Sequence, residues 1–106
     1  MRNDLVIEKM IQIIEKIQRY TRNLDYDGFS ANDLIVDACV FNLSQLGETA
    51  NRVDEQYELS HPEIRWREIY GLRNRIVHDY EGINLKLVWE IIEEDLPELL
   101  ETLEAI

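Results

Sequence analysis

LVIEKMIQIIEKIQRYTRNL, residues 5–24, is the stretch that decides the fold class. Val6, Met10, Ile13, Ile14, Ile17, Tyr20 and Leu24 recur in it at three- and four-residue steps, the spacing that lines one face of an α-helix. Asn3 or Asp4 is available to cap its start. After a turn around Asp25, Tyr26, Asp27 and Gly28, Ser30 and Asp33 form the expected cap of a second long helix. That helix carries Leu34, Ile35, Ala38, Phe41, Leu46, Ala50 and Val53. An irregular stretch should follow through Ser60, His61 and Pro62, because proline can start a helix but cannot continue one. A third helix is expected from Glu63 or Trp66 to His78, with Ile69, Leu72 and Ile76 as its stripe and Gly82 as its stop. Asn84 can cap a fourth, bearing Leu85, Val88, Trp89, Ile92, Leu96, Leu99, Leu100 and Leu103. Pro97 should kink or split that last helix, with Asp95 capping the final piece. With no strand-like alternation beyond a few residues, the packing solution is an all-α, antiparallel bundle of four main helices.

A chain of 106 residues is the size of one ordinary domain, so residues 1–106 should share one core. No apolar run approaches the roughly 20 residues that span a bilayer, and the N-terminus turns acidic before any signal-like stretch begins. No membrane association and a cytoplasmic location are the expectations. The single cysteine, Cys39, sits among apolar neighbours, which suits core packing and rules out an intrachain disulfide. The formal net charge of −11 works against binding RNA through its backbone, where affinity comes mainly from Lys and Arg. The distribution softens the objection. Residues 52–80 hold five arginines against six acids, whereas residues 81–106 hold eight acids and only Lys86. RNA would approach the arginine-bearing segment and avoid the acidic last helix, whose charge would suit solvent or a basic protein partner.

That segment contains Arg73-Asn74-Arg75-Ile76-Val77-His78-Asp79-Tyr80, which gathers a permanent cation, an imidazole and a phenol. Arg73 can hold a phosphate with its planar fork of donors, and the pKa of His78 lies near neutral unless perturbed. On one straight helix His78 would lie about 140° around from Arg73, and Tyr80 some 10 Å along the axis, so the three cannot converge on one atom. Asn74 and His78, four apart, would share a face, which would let Asn74 orient the imidazole. Completion of a site needs the helix to end near His78, so that Tyr80 bends back, or needs a second subunit. A plain alternative makes His78 a helix-end histidine favoured by the dipole, and the arginines salt-bridge partners of Glu68 or Asp79. The two histidines lack companions at zinc-ligand spacing, no Gly-rich phosphate loop is present, and the consecutive Glu93, Glu94 and Asp95 fan around their helix. No metal or cofactor is expected.

Arg73, four residues, His78, one residue, Tyr80 resembles the signature of the HEPN superfamily, and the flanking residues resemble its HepT-like branch of small helical toxins. Leu46-Gly47-Glu48-Thr49-Ala50 is similar to that branch's Gly-Glu segment, and His61-Pro62-Glu63-Ile64-Arg65-Trp66 to its lead-in. Leu87-Val88-Trp89-Glu90-Ile91-Ile92-Glu93-Glu94-Asp95-Leu96-Pro97 is similar to its last helix. The resemblance implies a HEPN-like bundle that forms homodimers with paired motifs, and a metal-independent endoribonuclease toxin. In that reading Arg73 and His78 are catalytic, Asn74, Tyr80 and Glu48 position the substrate, and RNA is cut through its own 2′-hydroxyl. The implied partner is a nucleotidyltransferase antitoxin of the MntA type, which neutralises the toxin by adenylylating (AMPylating) Tyr80. The alternative is a noncatalytic helical subunit that binds the nucleotidyltransferase and presents its substrate.

Overall fold

The computed structural model describes residues 2–78 and 82–106, with His78 described by its backbone alone. Helix α1 spans Asn3–Thr21 and buries Val6, Met10, Ile14 and Ile17 completely. Asn3 does not cap it. The cap position is Arg2, without a side-chain bond. Asn3 instead exchanges hydrogen bonds with Asp54, 51 residues away: its Oδ1 accepts from the Asp54 N–H at 3.1 Å and its Nδ2 donates to Asp54 Oδ2 at 3.3 Å. Tyr20, expected on the apolar face, is 38% exposed, and Ile7 is buried in its stead.

The expected turn at residues 25–28 is a short helix, α2, Tyr26–Ser30. Asp25 caps it by accepting from the Gly28 N–H at 2.8 Å, satisfying a donor the helix leaves open. Its one fully buried side chain, Phe29, meets the ring of Trp89 at a centroid distance of 5.0 Å. Helix α3 follows as Asp33–Ala50. The capping residue is Asn32, whose Oδ1 accepts from Ile35 N–H at 3.1 Å, and neither Ser30 nor Asp33 takes that role. Cys39, Leu43 and Leu46 are fully buried, whereas Leu34 and Phe41, which the apolar spacing assigned to the same stripe, stand 80% and 61% exposed.

The stretch expected to be irregular before Pro62 includes a helix, α4, Glu55–Ser60. It begins at the Asp54 tied to Asn3, and Glu55 and Glu58 in its first turn suit the positive end of the dipole. His61 closes it, stacked on Tyr57 at 4.4 Å, while its carbonyl accepts from Trp66 Nε1 at 3.1 Å. The expected third helix is two pieces, α5 (Trp66–Tyr70) and α6 (Leu72–Ile76), broken at Gly71. It stops before His78. Val77 is extended, with φ −109° and ψ 121°, and opens a two-residue strand, β1 (Val77–His78), antiparallel to β2 (Gly82–Ile83). Val77 pairs with Ile83 and His78 with Gly82. Gly82 serves the turn and not a helix stop, and its φ of 78° is open to glycine at little cost.

Asn84 caps α7 (Leu85–Glu90) as expected, accepting from Leu87 N–H at 3.1 Å. The last helix neither splits nor takes a cap from Asp95. Between α7 and α8 (Leu96–Glu104) lies a single π turn, Ile91–Asp95, and Asp95 keeps helical dihedrals without a side-chain cap bond. Pro97 has no N–H, and its ring opposes the carbonyl of Glu93, four residues back. A wider turn ahead of it relieves that clash without ending the helix. Helix α1 packs on α3 and α8, α3 on α5 and α6, and α2 on α7. The fold is an all-α bundle of four helical rods, α1, α3, α5 with α6, and α7 with α8, plus a small β-ladder where the third rod turns into the fourth.

Candidate active site

Helix α6 is five residues long, and both its position and its end are set by backbone contacts. The approach of the preceding α5 to α3 runs through Gly47: a Cβ there would sit 2.7 Å from the Ile69 carbonyl oxygen and 3.5 Å from that of Tyr70. Only a residue without a side chain permits α5 to lie so close. Leu72 and Ile76 anchor α6 in the core at 4% and 0% exposure. Its far end is closed by the β-ladder and by Asn84 N–H donating to the Ile76 carbonyl at 2.8 Å. The chain thus leaves and returns to one point.

On this scaffold Arg73 and Asn74 are exposed. The backbone of His78 is held in the ladder opposite Gly82. Asn74 and His78 do not lie on one continuous helix, because α6 ends at Ile76 and Val77 is extended. The first condition for convergence, a helix that ends ahead of His78, is met. Tyr80, and with it the modification assigned there, lies outside the described residues, as does the side chain of His78. Glu48 is exposed on α3, next to the glycine against which α5 packs. The structure therefore brings the Gly-Glu segment against the rod that bears the arginine, two segments far apart in sequence.

The plain pairing of the arginines can be read at Glu68 alone, since Asp79 lies outside the described residues. Glu68 pairs with Arg65, at 3.8 Å, rather than with Arg73 or Arg75. Arg75 faces Asp95, whose carboxyl is pushed up by burial and pulled part of the way back by that guanidinium. Tyr70 has its phenol pushed up to about 12 by burial and by the Glu58 carboxylate. Cys39 is buried, which raises its thiol to about 11 and keeps it protonated and inert. The sequence marked Gly47 as a place where another backbone could come close, but did not identify Ile69 as that neighbour, nor Arg75 as facing Asp95. The signal for the first was a glycine inside a long helical pattern, which costs about 1 kcal/mol against alanine unless packing requires it. No helix among the described residues is long and apolar enough to cross a membrane.

The family model described as Ribonuclease HepT-like matches residues 10–106. A candidate RNase of Methanocaldococcus jannaschii is 31% identical over 101 residues, covering 95% of this chain and 89% of its own length. A probable ribonuclease HepT of Thermococcus cleftensis is 29% identical over 93 residues, covering 88% and 84%. The mRNA nuclease HepT of Shewanella oneidensis is 24% identical over 129 aligned positions, covering 98% and 97%. No solved structure matches the chain significantly.

Proposed function

Because the chain belongs to the HepT-like ribonuclease family, we propose that it is a metal-independent RNA endonuclease toxin, silenced by a nucleotidyltransferase that adenylylates Tyr80. The observation that carries this reading is the exposed Arg73 on a helix that stops just ahead of the His78 ladder. A phosphate can reach that guanidinium from solvent.

Cleavage needs no metal because RNA carries its own nucleophile. The 2′-hydroxyl attacks the adjacent phosphorus, the bond to the 5′-oxygen breaks, and the products are a 2′,3′-cyclic phosphate and a 5′-hydroxyl. Arg73 binds the phosphate and stabilises the charge that develops on its oxygens. A neutral His78 takes the 2′-hydroxyl proton, and a protonated His78 gives one to the leaving oxygen. One chain has one such histidine, so both roles are filled at once when two copies face each other. The exposed Leu34 and Phe41, seven apart on α3 with Glu48 seven further on, form the stripe on which a second copy would pack. An AMP on Tyr80 would place an anion where it can pair with Arg73 and occupy the phosphate site.

The test uses the purified chain with a single-stranded RNA in EDTA, followed by intact mass after co-expression with the nucleotidyltransferase. Cleavage to cyclic-phosphate ends should fall by roughly two to four orders of magnitude in His78→Ala, and the mass gain of AMP units should vanish in Tyr80→Phe. A His78→Ala variant as active as the parent overturns the catalytic assignment, and an adduct mapped elsewhere overturns the regulation. The net charge of −11 favours the second reading, a noncatalytic subunit that presents substrate to the nucleotidyltransferase. Growth arrest on expression without the partner distinguishes the toxin from that subunit.

A further inference from the structure

A groove runs between α5–α6 and the π turn with α8, on the other side of α6 from the proposed active site. Arg75 lines it and Arg73 does not, as expected for positions about 200° apart around a helix. Its floor is apolar, made by Ile64, Ile69, Leu72, Ile91, Leu96 and Leu99. Its walls carry Glu63, Glu68, Asp95 and Glu98 against Arg65 and Arg75, and Arg65 is already engaged by Glu68. A shallower depression continues from it, sharing Glu63, Glu98 and Thr102 and adding Glu101.

The groove's volume is about 80 Å³, far below the roughly 300–1,000 Å³ of cofactor and small-molecule sites. It has room for one aliphatic side chain. Four acids against two arginines in the walls repel a nucleic-acid backbone and attract cations. The apolar floor wants a hydrophobic anchor, the acidic rim wants lysines or arginines beside it, and a helix laid along a groove supplies both. We propose that this groove docks a basic amphipathic helix of a partner protein, with a leucine-like anchor seated over Leu72 and Leu99 and basic residues against Glu68 and Glu98. The π turn contributes both Ile91 of the floor and Asp95 of the wall. Asp95 holds its proton more tightly than usual because burial disfavours its charged form, and an arriving cation would reverse that penalty. The occupant leaves Arg73 uncovered.

The experiment uses the full chain and a fluorescein-labelled helical peptide of leucine and lysine whose leucines form one stripe. A peptide of the same composition with its leucines spread around the helix is the comparison. Anisotropy should show binding of the striped peptide alone, and amide NMR shifts should map it to residues lining the groove. Glu68→Lys with Glu98→Lys, both exposed, should weaken it by about tenfold or more, as loss of paired interfacial charge does. Glu8→Lys with Glu15→Lys makes the same charge change on the exposed face of α1 and should leave binding unchanged. Equal weakening by both pairs, equal binding of the two peptides, or shifts elsewhere on the chain would overturn the proposal. So would a single-stranded RNA that moves the same groove signals.

Discussion

Gly47→Ala sets two known effects against each other at one position. Alanine inside α3 gains about 1 kcal/mol over glycine from helix propensity. The added methyl, however, would stand 2.7 Å from the Ile69 carbonyl oxygen and 3.5 Å from that of Tyr70. Neither is the end of a flexible side chain, so the whole of α5 must move or α3 must bend. Overpacking a well-packed interior costs about 1–3 kcal/mol, and two backbone contacts put this case near the upper end. The net loss should be about 1–2 kcal/mol, which in a chain of this size lowers the melting temperature by roughly 5–10 °C. Gly71→Ala is the control. Its Cβ would meet only the Arg67 carbonyl, at 3.5 Å, and its φ of −91° suits any residue. That variant should be neutral or gain about 0.4–1 kcal/mol through the unfolded state. Thermal unfolding by circular dichroism measures both. A Gly47→Ala chain as stable as the parent would mean that α5 is free to give way, and that the glycine does not set the distance between α3 and the arginine-bearing rod. In the HepT-like reading the displacement also reaches Arg73, so cleavage should fall in Gly47→Ala and stay level in Gly71→Ala.

In the proposed dimer, replacing Leu34 and Phe41 by glutamate should halve the mass seen by light scattering while far-ultraviolet dichroism stays constant; a variant with an unchanged mass removes α3 from the proposed interface. Phe29→Ala empties a fully buried position against Trp89 and should cost about 3–5 kcal/mol, read as an earlier urea midpoint. A smaller loss than for an ordinary surface change would mean α2 is dispensable to the core. Asp95 has its pKa raised by burial from the ordinary 3.8, so the folded chain binds that proton more tightly than the unfolded chain. Its contribution is full below 3.8 and is lost as the pH climbs through the higher folded value. Asp95→Asn should therefore raise the stability at about pH 7 relative to that at about pH 3. A relative fall at the higher pH would show that Arg75 outweighs burial.

Local pattern determined the long helices. The recurrence of Val6, Met10, Ile14 and Ile17, and the Asn84 cap before Leu85, depend on residues within a few turns of one another, and both stand in the structure, although Leu24 falls beyond the helix end at Thr21. The identity of the motif segment was legible for the same reason, being contiguous. The tertiary structure alone decided how that segment is presented. Asn3 could have capped α1, but Asp54, 51 residues away, offered it a pair of bonds that leave the cap without one. Leu34 and Phe41 carry the apolar spacing of a core stripe, yet α3 turns Cys39, Leu43 and Leu46 inward, and no rule of spacing says which arc of a helix meets its neighbours. Pro97 signalled a kink or a split, and the helix instead runs on through one widened turn, Ile91–Asp95, ahead of the proline. Gly47 and Ile69 lie 22 positions apart in the sequence, so their contact, and the placement of Arg73 that follows from it, exists only once the rods have packed. Spacing along a chain encodes which faces a helix has, whereas which face is buried depends on every other helix at once.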